Sequence, residues 1–168
     1  VTPDNVELKF GDDCEVYLGA RSHHERPAAT VTTTSNPRDL MKAVSYLGTG
    51  LKTTTCERSY PTLRGHPPEI EITDKLHIPS VLEKPKTGVE IQVPPEYRSI
   101  HVVSPLAYYL AADITPGNER KIKINSGNRV AENTYNLDNN GDGFEKTVER
   151  ILKKCFFLDC IIRTEGYY

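Results

Sequence analysis

Residues 29 to 48, ATVTTTSNPRDLMKAVSYLG, change period half-way, and that change decides the fold class. From Ala29 to Thr34 the residues are largely β-branched, the composition of a strand. Ser35-Asn36-Pro37 then supplies a capping side chain and a proline at the first helical position. From Pro37 to about Leu47 the apolar residues Leu40, Val44 and Leu47 recur at helical spacing, Arg38, Asp39 and Lys42 face out, and Gly48 is a natural stop. A strand that feeds a helix in this way is a βα unit.

Upstream, Val6, Leu8 and Phe10 alternate on one side of Gly11-Asp12-Asp13, and Cys14, Val16 and Leu18 on the other, which predicts a β-hairpin. Downstream, eight of the twelve prolines fall between Pro61 and Pro105, so that region favours short strands and edges over a long helix. Ile70 to Thr73 and Val89-Ile91-Val93 keep strand alternation. Ser99 to Val103 reads as a continuous apolar strand, after which Ser104-Pro105 caps an uncharged helix, Leu106 to Ala112, expected to be buried on several sides. Pro116-Gly117 turns the chain into a strand from Lys121 to Ile124. The expectation is one α+β domain over residues 1–168, with a mixed β-sheet and about three flanking helices that start at Pro37, Ser104 and Phe144.

The final helix, Phe144 to Arg163, is the most specific prediction. Phe144, Val148, Ile151, Leu152 and Cys155 form one stripe opposite Lys146, Arg150 and Lys153. Beyond Cys155, Phe157, Cys160 and Ile161 point where the basic residues pointed, so this half is either enclosed all round or presented to a partner. Asp159 and Arg163, four residues apart, are expected to form a structural ion pair.

The chain has 168 residues, enough to bury roughly 70% of the surface its unfolded form exposes. A formal net charge of −2 removes the general electrostatic footprint of a nucleic-acid binder. The longest apolar run, Leu106 to Ala112, is far short of the roughly 18 to 20 residues that span a bilayer, so neither nucleic acid nor membrane is an expected partner. Cys14, Cys56, Cys155 and Cys160 lack any framework spacing and are expected to be reduced thiols of a cytoplasmic protein, a Cys14–Cys56 pair being the alternative. A start at Val1 and a stop after an apolar segment suggest a fragment of a longer chain.

Positive charge concentrates between residues 15 and 68, with a formal excess of +3. It lies in two loops, residues 19–27 with Arg21, His23 and Arg26, and residues 56–68 with Arg58, Arg64 and His66. Guanidinium forks and imidazoles on loops grasp carboxylates and phosphates. The helix start after Thr32-Thr33-Thr34-Ser35 would add free N–H groups for a small anionic ligand. Gly48-Thr49-Gly50-Leu51-Lys52-Thr53 fails the phosphate-loop spacing, because Leu51 separates glycine from lysine and a helix precedes it. Asp138-Asn139-Asn140-Gly141-Asp142-Gly143 with Glu149 fits the written calcium-loop pattern, yet Glu145 and Lys146 oppose it, and a polar turn with Asp142 as helix cap is the plainer reading. Cys56 with His66 lacks a third orienting group for a thiol nucleophile, and adding His23 and His24 makes a poor zinc set. No cofactor and no metal are expected.

Tyr97 to Asp113, including Val102-Val103-Ser104-Pro105-Leu106-Ala107-Tyr108-Tyr109-Leu110-Ala111-Ala112, and Phe156 to Gly166 resemble a group of large, uncharacterised archaeal proteins. Their C-terminal part is similar to CHAT domains, relatives of caspase-type peptidases. The resemblance implies an upstream, non-peptidase region, with the family's catalytic histidine and cysteine outside this chain. The function expected is a non-catalytic interaction or regulatory module that engages the remaining domains of its own protein or another protein. The alternative is an anion-binding or hydrolytic site on the two arginine and histidine loops.

Overall fold

The computed structural model describes residues 9, 11, 27, 29–51, 66–125, 133–138 and 143–164, with side chains up to residue 161. The 1–20 hairpin lies outside the described residues.

Strand β1 (Thr30–Thr33) leads through Asn36 into helix α1 (Pro37–Ser45). The cap is made as its sequence suggests: the Asn36 side-chain oxygen accepts the Arg38 N–H at 2.9 Å. The Thr34 hydroxyl donates to the Asp39 carboxylate at 2.6 Å and accepts the Asn36 N–H at 3.1 Å. The helix stops at Ser45 rather than near Leu47, and Leu47–Gly50 form a 3-10 turn that contains the glycine expected to end it. Gly48 is there for closeness of approach: a Cβ on it would stand 2.7 Å from Ala111 Cα. Strand β2 (Glu69–Ile72) returns parallel to β1, Thr30 opposite Glu69 and Thr33 opposite Ile72.

Strand β3 (Val89–Val93), helix α2 (Tyr97–Leu110) and strand β4 (Asp113–Pro116) make a second strand–helix–strand unit, with β3 and β4 parallel. Strand β5 (Lys121–Ile124) pairs antiparallel on the other side of β3, and β6 (Asn133–Asn136) antiparallel on β5. The order is β4-β3-β5-β6, a mixed four-stranded sheet beside the two-stranded β1–β2 pair. Helix α3 (Phe144–Thr164) packs on α2, and α1 packs on both β4 and α2. The fold is α+β.

Two expectations need correction. Ser99 to Val103 is not a strand, and the second helix does not begin at Ser104: α2 is continuous from Tyr97, with Pro105 inside it. Ile100, Val103, Leu106 and Ala107 recur on one helical face and are 0–1% exposed, so the apolar run that reads as a buried strand is the inner side of a helix. Pro105 is tolerated because it lies on the exposed side, where losing one helical hydrogen bond does not seal a carbonyl from water. The Ser104 hydroxyl turns back onto the Ile100 carbonyl at 2.6 Å. Strands β4 and β6 come in addition to the elements expected from the sequence. β4 carries a single buried apolar residue, Ile114, and all four residues of β6 are exposed, so neither shows strand alternation.

The core gathers Leu40, Met41 and Val44 of α1, Ile91 and Val93 of β3, the inner face of α2, Ile114, Ile122, Leu137 and Val148. One buried hydroxyl ties its edge: Ser45 donates to the Met41 carbonyl and accepts the Ile114 N–H, both at 2.8 Å. Helix α2 ends with the Ala112 N–H on the Ala107 carbonyl and the Ala111 N–H on the Tyr108 carbonyl, a Schellman closure. Ala111 fills its left-handed position (φ 47°), where glycine is usual.

Candidate interaction surface

Of the residues read as an anion site, Arg21, His23, Arg26, Arg58 and Arg64 lie outside the described residues, as do His24, Cys14 and Cys56. His66 is described and exposed, just ahead of β2. The helix start after Thr34 does not offer free donors to an anion, because Asn36 takes the Arg38 N–H and the Asp39 carboxylate stands in the first turn. The calcium reading also loses ligands. Asp138 accepts from Arg120 at 3.4 Å and Glu149 is ion-paired with Lys153. Residues 139–142, with the expected cap Asp142, lie outside the described residues. Among the described residues no group of three His, Cys, Asp or Glu is placed to hold a metal.

A cleft of about 340 Å³ opens where the N-terminal ends of α2 and α3 meet, with Arg98, Arg120 and Lys146 on its walls. Carboxylates of the same chain accompany these cations. Arg98 holds Glu145 at 2.9 Å, and Arg120 holds Glu96 at 3.2 Å beside Asp138. The Arg120 guanidinium also lies 4.7 Å from the centre of the Phe144 ring. The Ser99 hydroxyl, and after it Arg120, hold the Glu96 carboxyl below its ordinary value. The two guanidinium groups are matched by Glu145, Glu96 and Asp138, with Lys146 exposed at the rim, so the cleft is a clamp between α2, α3 and the approach to β5 rather than an anion receptor.

The second feature is α3 itself. Val148 is buried, and Phe144, Ile151 and Leu152 pack against the core, as their stripe requires. Past Cys155 the helix is not enclosed: Phe157 is 63%, Leu158 53% and Ile161 45% exposed. Of the two outcomes its sequence allowed, full enclosure is the one that does not occur. Leu158 belongs to the exposed group, whereas Cys160, grouped with it by sequence, is half-buried. The signal for Leu158 was its position four residues after exposed Lys154 and three before Ile161. Cys155 and Cys160 are thiols.

Helix α2 fixes how this end of α3 is oriented. The Tyr109 hydroxyl donates to the Asp159 carboxylate, and the Tyr109 ring meets Phe156 edge-on with centroids 6.1 Å apart. The anchor of Asp159 seen here is therefore a tyrosine of α2, while the Arg163 side chain lies outside the described residues. With its inner face held, α3 presents one outer stripe, exposed Lys146, Lys153 and Lys154 with half-buried Arg150, which continues into Phe157, Leu158 and Ile161. The first three turns of the stripe are basic and the last two apolar. No helix among the described residues is long and apolar enough to cross a membrane. No protein-family model, curated protein or solved structure matches the chain.

Proposed function

We propose that this chain is a non-catalytic interaction module, and that it docks through the outer face of the distal part of α3. The observation that carries this reading is the contiguous exposure of Phe157, Leu158 and Ile161 on a helix whose opposite face is anchored by Val148, Ile151 and Leu152. Each such side chain gains roughly 1.5 to 3 kcal/mol when it leaves water, so leaving three together exposed is costly unless a partner covers them. A patch on the order of a few hundred Å² is the size at which exposed apolar surface marks an interaction site. The charge balance in the cleft supports the same reading, since it removes the electrostatic pull a catalytic anion pocket would need. The resemblance to multidomain archaeal proteins supports a module that works beside other domains, and cysteines without framework spacing support a reducing cytoplasm as its place.

The test is oxidative footprinting of Phe157 in the purified chain and in the protein within its own cells. Labelling of the purified chain with strong protection in cells is expected. Equal labelling in both states overturns the reading.

A further inference from the structure

We infer that the occupant of this surface is an acidic amphipathic helix of another protein, lying along the outer stripe of α3. The inference rests on the docking reading above and adds the chemistry of the partner. Its basis is the order of residues along one helical face. Lys146, Arg150, Lys153 and Lys154 occupy the proximal turns, and Phe157, Leu158 and Ile161 the distal ones. The acidic residues near the basic segment are engaged within the chain, Glu145 with Arg98 and Glu149 with Lys153. Lys146 and Lys154 are exposed on the same side. With Lys153 matched by Glu149, exposed Lys146 and Lys154 leave this face a positive excess in a chain whose formal net charge is −2, and the face runs directly into the apolar patch.

A complementary partner carries carboxylates at one end of a stripe and apolar side chains at the other, spaced three and four residues apart so that they mesh with a helix. Charge at the basic end sets direction and partner choice, and the apolar end supplies most of the affinity. An anionic bilayer shares this chemistry in outline but fits the geometry less well. A helix lying on a membrane needs an apolar face along its length, whereas here the inner face is committed to the core and only the last two turns of the outer face are apolar.

The experiment titrates the folded chain with two synthetic helical peptides that share one leucine pattern, one with glutamates and one with lysines at the polar positions, by fluorescence anisotropy at low and high salt. The acidic peptide is expected to bind at least tenfold more tightly than the basic one, and to weaken as salt rises. Phe157→Ser and the double variant Lys146→Glu, Lys154→Glu should each weaken it tenfold or more without moving the melting temperature. Equal binding of the two peptides, or binding of neither while Phe157 is protected in cells, overturns the acidic partner but leaves the docking reading standing. Binding only to phosphatidylserine vesicles makes the occupant a membrane. A wild-type dimer in sedimentation that Phe157→Ser dissolves makes it a second copy. A clear drop in melting temperature for Phe157→Ser shows that the chain covers this patch itself, and removes both the inference and the reading beneath it.

Discussion

Helix α2 and the distal part of α3 are both rich in large apolar residues and touch each other at Tyr109, yet they meet opposite fates. In α2, Ile100, Val103 and Leu106 are fully buried, while in α3 Phe157 and Leu158 are more than half exposed. The difference lies in neighbours. Helix α2 is set between β3, β4, α1 and α3, because the strand–helix–strand connection lays it across the sheet and two further helices close over it. Helix α3 is held on its inner side, by its apolar stripe and by the Tyr109 contacts to Phe156 and Asp159, and among the described residues its distal outer face has no such cover. An apolar face states that it must leave water; topology alone states what covers it.

The largest test of this contrast is a pair of truncations. Leu106→Ala is expected to cost about 2 to 5 kcal/mol in denaturant unfolding, since it opens a cavity in a closed core. Phe157→Ala is expected to stay within about 0.5 kcal/mol of wild type, as for an exposed surface site. Similar costs for the two would erase the comparison.

Gly48→Ala probes how tightly the end of α2 is sealed. Its new Cβ would fall 2.8 Å from Ala111 Cβ, and forcing the 3-10 turn away should cost about 1 to 3 kcal/mol, read as a lowered melting temperature. Ser45→Ala leaves the Ile114 N–H, buried under α1, without its acceptor, and about 1 to 3 kcal/mol of stability should be lost. Tyr109→Phe removes the hydroxyl that joins the two contrasted regions. A loss of about 1 kcal/mol is expected, and a cycle with Asp159→Asn should show the two effects coupled.

The smallest effect concerns the outer stripe. The Lys153 ammonium, by hydrogen bond and then by charge, holds the Glu149 carboxyl below its ordinary 4.5. A carboxyl depressed by folding contributes stability that is present above the unfolded value and fades as pH falls through the folded one. Wild type should therefore lose a little stability below about pH 4.5 that Glu149→Gln does not, seen as a shallower acid limb in thermal scans. No difference between the two limbs would show that this exposed pair contributes nothing.

The readable elements were those in which local chemistry and tertiary packing agree. The Asn36 cap and the α3 stripe from Phe144 to Leu152 are of this kind, because a cap and an amphipathic face each state their own geometry. The start of helix α2 is obscured because Ser104-Pro105 has the chemistry of a helix N-terminus, and a short stretch carrying Ile100, Val102 and Val103 fits a buried strand and a buried helix alike. Strand β4 was hidden because its pairing depends on β3 twenty residues away, not on its own pattern. At the candidate surface Phe157 and Ile161 were legible as misplaced apolar groups. The exchange of Cys160 for Leu158 depends on how far α3 is rotated on its support, which Tyr109 helps fix from fifty residues away.

The Ser45–Ile114 link has a consequence for the time course of folding. Its donor amide belongs to a sheet strand, but its acceptor arrives from a helix 69 residues earlier in the chain. Neighbouring amides of the β3–β4 ladder become slow to exchange with deuterium as soon as those strands pair. The Ile114 amide becomes slow only once α1 has docked. Under native conditions that single proton is a clock for the arrival of the N-terminal βα unit on the sheet, separable from the formation of the sheet itself.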